Sequence, residues 1–372
     1  MLDLNYFKKR IAITAGDKLL LKLTFSSKAD EKDVLELLSG YDIENAPLGF
    51  NLFLANLLNI HSNIKISEDD IPRIKGVVRY FQYQNTAFLA AFNKIGRALN
   101  AKNIPVLLIK GISMKYLYPD MPRYMADVDF AVSFKNFEKA LNIALRNGFK
   151  ISVRAKHSVD LYDGVRRLDI HRFIVKSDIN TQNTDNKIFE RAVAVKAFGV
   201  NVLIPKAEDM FFLTLQNALD NIIYNKPYPM KILWIFDCLR ILESVKNKNE
   251  NINWDIIINN ASQTGLSYAT KLMLEIFDSI VPSKIPDGVI SKIKTDDNQK
   301  AAFEKHVRLH IMMKRSSDIK TAVKTILFSK NKKYEDIKRA VELTCEFFYI
   351  KFVHHCFFAR KFLLVKTSER YL

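Results

Sequence analysis

The sequence predicts an α+β fold in which a small mixed β-sheet is flanked by N-terminal and C-terminal helical regions. Helical periodicity dominates before residue 100 and after residue 205, whereas short apolar runs of strand length alternate with turns between them. The chain has 372 residues, which is enough for two or three domains. We therefore predict a helical region at 1–99, a mixed α/β core at 100–205 and a second helical region at 206–372.

The composition is that of an ordinary globular protein with a large excess of positive charge. Hydrophobic residues make up 48% and charged residues 26%, which supplies ample material for a core. The formal net charge of +17 attracts polyanions such as nucleic acid, nucleoside triphosphates or anionic lipid. The densest basic run, 314–333, is typical either of a solvated helix face or of an RNA contact. Charge alone does not identify the partner.

The cysteine content and the apolar segments indicate the compartment. The three cysteines, Cys238, Cys345 and Cys356, are too few and too scattered for a disulfide framework or a zinc cluster. The N-terminus has no long apolar run before a small-residue cleavage site, so we expect no signal peptide. The most apolar stretch, 343–365, contains six charged or histidine side chains, which favours a buried or membrane-surface helix over a spanning one. We expect a cytoplasmic protein without stable membrane insertion.

The N-terminal region and the start of the core contain the first predicted elements. Residues 48–60 form an apolar, helix-like run, and 69–99 has the pattern of one or two amphipathic helices. Residues 104–109 have the length and apolar character of a strand, which ends at Lys110-Gly111. A short helix is predicted at 112–118, and a loop follows.

The middle of the core alternates strand, helix and strand. Residues 126–133 alternate strictly, so that Asp127 and Asp129 share one face while Val128, Phe130 and Val132 share the other. An amphipathic helix follows from 137 to 145, and Gly148 occupies the position of a C-terminal cap. A strand is predicted at 149–153.

The last part of the core is predicted to be a hairpin. Residues 157–175 surround Asp163-Gly164, which is a strong turn signal. On the second strand Leu168 and Ile170 face one side, and the opposite side carries Arg167, Asp169 and His171. Pro205 then lies near the start of a helix predicted at 207–224.

The two aspartates on one strand face predict a divalent-metal site. Asp127 and Asp129 are about 7 Å apart at Cα, and like charges at that distance are unfavourable without a cation between them. Mg²⁺ prefers carboxylate oxygen and keeps further positions for water or phosphate. Asp169, on a neighbouring strand, is the candidate for the third carboxylate. With two metal ions, such a site could activate a hydroxyl and steady a pyrophosphate leaving group, and Asp169 could help to deprotonate the acceptor.

The segment upstream of the acids distinguishes this pair from an ordinary solvated strand face. An apolar strand, Lys110-Gly111 and a short helix whose first turn contains Ser113 would present backbone N–H groups to phosphate. Glycine at 111 would allow the backbone to approach the ligand closely. A glycine turn, a D-x-D pair and a third strand acid, in that order, favour a nucleotide site.

Four segments in this order resemble the uncharacterised nucleotidyltransferase family of the DNA polymerase beta superfamily. They are LLIKG (107–111), PRYMADVDFAV (122–132), NGF (147–149) and RLDIH (167–171), and LWIFDCLRIL (233–242) and NWD (253–255) extend the likeness. The resemblance implies a palm-like core that transfers a nucleoside monophosphate from an NTP. By position, it assigns the glycine to Gly111 and the metal carboxylates to Asp127, Asp129 and Asp169.

We therefore expect a metal-dependent nucleotidyltransferase that uses Mg²⁺ or Mn²⁺, with ATP as the simplest donor. It would move AMP to a hydroxyl or phosphate acceptor and release pyrophosphate. The acceptor could be a small molecule, a protein side chain or an RNA end, and the net charge favours RNA or another polyanion. The alternative is a catalytically silent palm-like module that binds nucleotide or RNA. Use of the metals by a phosphodiesterase or kinase is disfavoured because histidine clusters and a P-loop are lacking.

Four further residues have more than one interpretation. Lys110 and Arg123 flank the predicted triphosphate site and either neutralise its charge or lie on the surface. His171 shares a face with Asp169 and either orients it, contacts substrate or is structural. Asp237 lies in an apolar helix, where a buried acid needs a partner, and we expect it to be structural.

Overall fold

The computed structural model describes residues 4–26, 31–39, 48–61, 68–119, 121, 123–177, 181–224, 232–308 and 311. The chain divides into two compact units, Met1–Gln299 and Lys300–Leu372. The first unit contains the sheet and all the predicted site residues. Of the second unit, residues 300–308 are described as helical.

The described residues of the N-terminal part of the first unit form five helices: α1 (Leu4–Ile11), α2 (Ala15–Thr24), α3 (Glu31–Ser39), α4 (Leu48–Ile60) and α5 (Asp70–Asn100). The side chain of Thr14 caps α2 by accepting from the Asp17 backbone N–H, and Asp17 reciprocates. The predicted helix at 48–60 is confirmed, and the segment at 69–99 is a single helix of 31 residues.

The core follows the predicted alternation of short strands and helices. Its elements are β1 (Leu107–Leu108), α6 (Gly111–Leu117), β2 (Val128–Ala131), α7 (Phe137–Arg146), β3 (Lys150–Arg154), β4 (Ser158–Tyr162), β5 (Arg167–His171), α8 (Gln182–Arg191), β6 (Val193–Ala197) and β7 (Val200–Ile204). A 3₁₀ turn at Phe134–Asn136 precedes α7. The strands form one sheet in the order β3-β4-β5-β2-β1-β7-β6. Pairs β2–β5 and β1–β7 are parallel and the others antiparallel, so the predicted mixed sheet is confirmed.

The turn signals in the core were reliable, and the strand lengths were less so. Gly148 follows α7 with φ 87°, and Gly164 has φ 106° in the hairpin between β4 and β5. The predicted strand at 104–109 shortens to Leu107–Leu108, although Ile104 and Val106 are also buried. An apolar run therefore marks burial over a longer stretch than the hydrogen-bonded ladder. The β6–β7 hairpin was not predicted.

The C-terminal helices of the first unit are α9 (Ala207–Ile223), α10 (Leu233–Lys246), α11 (Trp254–Gln263), α12 (Ser267–Ile280) and α13 (Val289–Lys292). They pack directly on the N-terminal helices. Arg10 of α1 donates to the carbonyls of Ile222 and Ile223 and so caps the C-terminus of α9. The rings of Phe53 and Phe236 stack with centroids 4.2 Å apart and join α4 to α10. The division of the chain at residues 99 and 205 stays a prediction.

Two sequence predictions concern segments outside the described residues, namely the basic run at 314–333 and the apolar stretch at 343–365. Within the described part, no helix combines the length and apolar character that crossing a bilayer requires. Cys238 is buried in α10, and burial raises the pKa of its thiol well above the usual value.

Candidate active site

The register of three neighbouring strands brings aspartates into one row across the sheet. Asp129 on β2 pairs with Asp169 on β5, and Asp169 pairs with Asp160 on β4. Residues paired across a ladder project from the same face, so these side chains are neighbours. Asp129 is 4% exposed and Asp169 is 8% exposed. The register thus joins acids that are 40 residues apart in the chain.

The opposite face of β2 explains why this strand is held so firmly. Val128 and Phe130 are fully buried, and Phe130 meets Phe92 of α5 edge to face at 5.5 Å. The predicted alternation of β2 is therefore confirmed, with apolar residues toward α5 and acids on the other side. Packing on one face fixes the orientation of the acids on the other.

Lys110 and His171 contact the acids directly. The Lys110 ammonium donates to Oδ1 of Asp129. Nε2 of His171 lies 3.0 Å from Oδ1 of Asp129 and 3.0 Å from Oδ2 of Asp169, so its ring bridges the two carboxylates. Ser158 donates to Oδ2 of Asp169 at 3.1 Å. His171, which the sequence left with three interpretations, is part of the acid cluster.

The charges of this cluster stabilise one another. Burial acts to raise the pKa of Asp129, but Lys110 and His171 outweigh it and lower that pKa. The pKa of Asp169 is also lowered, because His171 outweighs the effect of burial. Burial acts to lower the pKa of Lys110, but Asp129 and Asp127 outweigh it and raise that pKa. Asp129 and Asp169 are therefore ionised and Lys110 is charged at neutral pH.

Asp127 is the acid whose negative charge the cluster stabilises least. It lies directly before β2 and is half-buried. The charge of Asp129, followed by burial, raises the pKa of Asp127 to about 7. Two carboxylates that are two residues apart on a strand thus repel each other, as predicted.

The donor set of the cluster fits a divalent cation. Asp129, Asp169 and His171 each offer one ligand atom, and these atoms lie within 4.8 Å of one another. Oδ1 of Asp169 is buried and accepts no hydrogen bond within the described part of the chain. An orphaned carboxylate oxygen beside a second carboxylate suits a hard cation such as Mg²⁺ or Mn²⁺. The D-x-H spacing on β5 was the sequence signal for adding His171 to this set.

The turn that precedes α6 is built around Gly111. Lys110 has a positive φ of 56° there, and Ser113 Oγ donates to the Lys110 carbonyl at 2.7 Å. A Cβ at position 111 would lie 2.6 Å from Nη1 of Arg123, closer than real Cβ atoms approach another heavy atom. A side chain at position 111 would therefore have to displace the Arg123 guanidinium.

Arg123 is buried and paired with Asp237 of α10. Its Nε donates to Asp237 Oδ1 at 3.0 Å, and its Nη2 donates to Oδ2 at 2.6 Å. Its Nη1 donates to the Tyr124 carbonyl, and its own carbonyl accepts from Asn85. The surface interpretation of Arg123 is therefore wrong, and the expectation that Asp237 has a buried partner is confirmed. A contact of Arg123 with triphosphate stays a prediction. In this structure its guanidinium pairs with Asp237 instead.

A cleft that the sequence did not reveal opens beside Lys110, along one face of α9. It is a narrow groove with a volume of about 30 Å³. Its lining consists of Ile109, Lys110, Ile174, Lys176, Leu213, Gln216, Asn217 and Asp220. A smaller cavity adjoins it along α9 and shares Ile109, Lys110 and Leu213. Lys110 thus lies between the acid cluster and this cleft.

The family model for uncharacterised nucleotidyltransferases matches residues 52–282, which include the acids, the Gly111 turn and α9. This chain belongs to that family. The resemblance inferred from the sequence motifs is therefore confirmed. No curated protein matches the chain.

Several solved structures share a weak likeness with this nucleotidyltransferase-family chain. The antibiotic-resistance factor ANT(2'')-Ia is 13% identical, with a TM-score of 0.36 over 50% of this chain and 94% of that one. An antigenic nucleotidyltransferase-like protein from Paracoccidioides brasiliensis is 13% identical, with a TM-score of 0.31 over 50% and 92%. A tRNA-processing enzyme in an apo form is 13% identical, with a TM-score of 0.23 over 78% of each chain. Likeness of this degree says nothing about the substrate of the present chain.

Proposed function

We propose that this protein transfers a nucleoside monophosphate from an NTP to a hydroxyl or phosphate acceptor and releases pyrophosphate. ATP is the simplest donor, and Mg²⁺ or Mn²⁺ is the cofactor. One observation carries the proposal: a member of the nucleotidyltransferase family gathers buried carboxylates at one point, beside a lysine and a glycine turn, and Oδ1 of Asp169 has no hydrogen-bond partner among the residues that the structure describes.

In this proposal the residues of the cluster have different roles. Asp127, Asp129 and Asp169 would hold the metal, which would supply positive charge beside the triphosphate and the pyrophosphate leaving group. Lys110 adds a positive charge at the same place, and the backbone around Gly111 and Ser113 approaches the phosphates. The acceptor oxygen forms its bond to the α-phosphorus as the α–β anhydride bond breaks. Asp169 helps to take the proton of an acceptor hydroxyl as this bond forms.

The test is transfer of label by the full-length protein from each α-labelled NTP with Mg²⁺ or Mn²⁺. We expect pyrophosphate release and label transfer, with a loss of at least about a hundredfold in Asp129→Asn and in Asp169→Asn. Asp287→Asn, an exposed acid remote from the sheet in sequence, is the matched control and should keep full activity. Mn²⁺ binding, followed by electron paramagnetic resonance, should weaken in the two site variants and not in the control.

Two results would contradict the proposal. Wild-type protein that binds NTP tightly with no transfer to any acceptor would indicate a catalytically silent module. Full activity in both site variants would show that these two acids take no part in the reaction.

We propose further that the acceptor is RNA or another polyanion, which the net charge of +17 supports. Binding of a single-stranded RNA should weaken steeply as the salt concentration rises, because phosphate contacts release counterions. A neutral small acceptor that is modified equally well at low and high salt would contradict this assignment.

A further inference from the structure

The sheet leaves one face open beside the row of acids. On the apolar face of β4 and β5, Val159, Leu161 and Leu168 are buried. On the face that carries the acids, Tyr162 of β4 is 38% exposed and Val153 of β3 is 52% exposed. The open face of an antiparallel ladder is usually polar, so two large apolar side chains at diagonal positions there favour a surface that binds a ligand.

Basic and aromatic side chains form a second row across this open face. Lys150 on β3 pairs with Tyr162 on β4, and Tyr162 pairs with Arg167 on β5. Paired residues project from the same face of a sheet. Arg167 lies two positions before Asp169 on β5, so this row shares the face of the acids and is about 7 Å from them at Cα. We call Lys150, Tyr162 and Arg167 the basic row.

The two cations of the basic row are available to a ligand. Both side chains are exposed, and neither makes a hydrogen bond or a salt bridge with another residue that the structure describes. The neighbouring Arg166 is different, because its Nη1 lies 3.6 Å from a carboxylate oxygen of Asp163. Burial and then the charge of Asp169 raise the pKa of Asp160, and the nearby charge of Arg167 acts to lower it. Unpaired positive charge so close to the acids suits a phosphate group.

The order of the strands separates the basic row from the Gly111 turn. β1, which leads into that turn, adjoins β2, whereas the basic row lies on β5, β4 and β3. The acids on β2 and β5 therefore lie between the turn and the basic row. A triphosphate at the turn and a second phosphate at the basic row would approach the acids from two sides, which is the arrangement that transfer from a donor to an acceptor requires.

We propose that the basic row binds the end of a single-stranded RNA acceptor, with Lys150 and Arg167 contacting its phosphates and Tyr162 stacking on a base. Single-stranded RNA exposes its bases, and aromatic side chains beside basic ones bind such strands with little regard to sequence. The terminal ribose lies toward Asp169, with its hydroxyl over the acids. This inference rests on the proposed function, because it assigns the acceptor of that reaction to a surface.

The experiment measures the affinity of the full-length protein for a fluorescent single-stranded RNA, by anisotropy, over a series of salt concentrations. We expect Lys150→Gln and Arg167→Gln each to lower the slope of log affinity against log salt concentration by about 0.7 in magnitude, and to weaken binding about fivefold at low salt. Tyr162→Leu should weaken binding at least about fivefold with the slope unchanged. Tyr162→Phe keeps the ring and should bind like wild type.

Arg154→Gln is the matched control. Arg154 is an exposed cation on the same strand as Lys150, but it pairs with Val159 of β4 and so projects from the opposite face. Its removal lowers the net charge by the same amount and should leave the affinity and the slope as they are in the wild type. Binding of α,β-methylene ATP and of Mn²⁺ should weaken in none of these variants, because the basic row lies apart from the donor.

The outcomes separate this inference from the proposed function. Wild-type protein that transfers label, with RNA affinity lowered no more by the row variants than by Arg154→Gln, overturns the basic row and leaves the transferase intact. Wild-type protein that binds RNA with the expected losses, yet transfers label from no NTP, supports RNA binding by the row and overturns the transferase. If the row variants weakened the ATP analogue as much as RNA, or lost binding to phosphatidylserine vesicles and not to RNA, the RNA assignment would be wrong.

Discussion

Aspartates are buried at two places in this protein, and their negative charges are paired differently at each. Asp209, at the start of α9, is fully buried and accepts from Arg191 through Nε at 3.0 Å and Nη2 at 2.6 Å. Asn260 donates to it at 2.9 Å. Every oxygen of Asp209 has a partner, and one arginine matches its charge.

The acid cluster on the sheet is balanced differently. Lys110 and His171 together face three carboxylates, Oδ1 of Asp169 has no partner within the described residues, and the pKa of Asp127 is raised to about 7. A buried acid that serves structure is matched in place, whereas the acids of the sheet include an oxygen without a partner among the described residues and a carboxylate whose pKa is raised by its neighbour. These two features, rather than the presence of acids, fit a divalent cation.

The largest expected effect compares the same substitution in the two clusters. Asp209→Asn leaves the Arg191 guanidinium without its counter-charge, and removal of one partner from a buried ion pair costs about 3 to 5 kcal/mol. We expect the lower end, because the Arg191 side chain is 24% exposed. Asp169→Asn takes one carboxylate from His171 while Asp129 still pairs with that ring, so the loss should be smaller, about 1 kcal/mol. Urea unfolding measures both, and equal losses would contradict the distinction between the clusters.

The next effect concerns the contact between the Gly111 turn and Arg123. In Gly111→Ala the new Cβ would meet Nη1 of Arg123 at 2.6 Å. The guanidinium cannot retreat without straining its two bonds to Asp237, so we expect a loss of about 1 to 3 kcal/mol in stability and weaker NTP binding. Thermal unfolding and calorimetry with an NTP analogue measure the two.

Gly76→Ala is the matched control for this prediction. Gly76 lies in α5, and a Cβ there meets nothing within 4 Å. Alanine in an open helix position should raise stability by up to about 1 kcal/mol. If Gly111→Ala behaved like Gly76→Ala, the turn would have room to move, and Arg123 would not determine the residue at 111.

What the sequence could predict depended on whether the signal was local. The helix at 48–60, the alternation of β2 and the turn at Asp163-Gly164 are each encoded within a dozen residues, and the structure confirms them. The row of acids could be inferred only as far as a shared strand face. Its register, Asp129 against Asp169, depends on which strands become neighbours.

The contacts that the sequence did not reveal are long-range. Arg123 and Asp237 are 114 positions apart, and neither neighbourhood indicates the other. The β6–β7 hairpin gives the sheet its far edge, and the groove along α9 exists only because α9 lies beside Lys110. The acids on one strand face could be predicted from that strand, whereas the groove could not, because it depends on the packing of a distant helix.

Asp185 is a third buried acid, and it has hydrogen bonds but no ion pair among the described residues. It is expected to give the smallest effect of the three. Its carboxylate accepts from the backbone N–H groups of Ile174 and Val175 at 3.1 and 3.2 Å and from Thr181 Oγ at 3.3 Å. Burial outweighs these bonds and raises its pKa to about 7, from an ordinary value of 3.8. The folded protein therefore keeps a proton that the unfolded chain releases between pH 4 and pH 7, and stability falls as the pH rises through that window.

We expect Asp185→Asn to remove this contribution, which is at most about 1.4 kcal/mol per pH unit. The difference in the free energy of unfolding between variant and wild type, measured in urea at intervals from pH 4 to pH 8, isolates Asp185 from every other titrating group. Relative to wild type, the variant should gain stability as the pH rises and level off above pH 7. A flat difference would mean that the three hydrogen bonds already hold the carboxylate charged. In that case backbone amides would match a buried acid as well as Arg191 does, and a candidate cation site would have to be recognised from unpartnered oxygens alone.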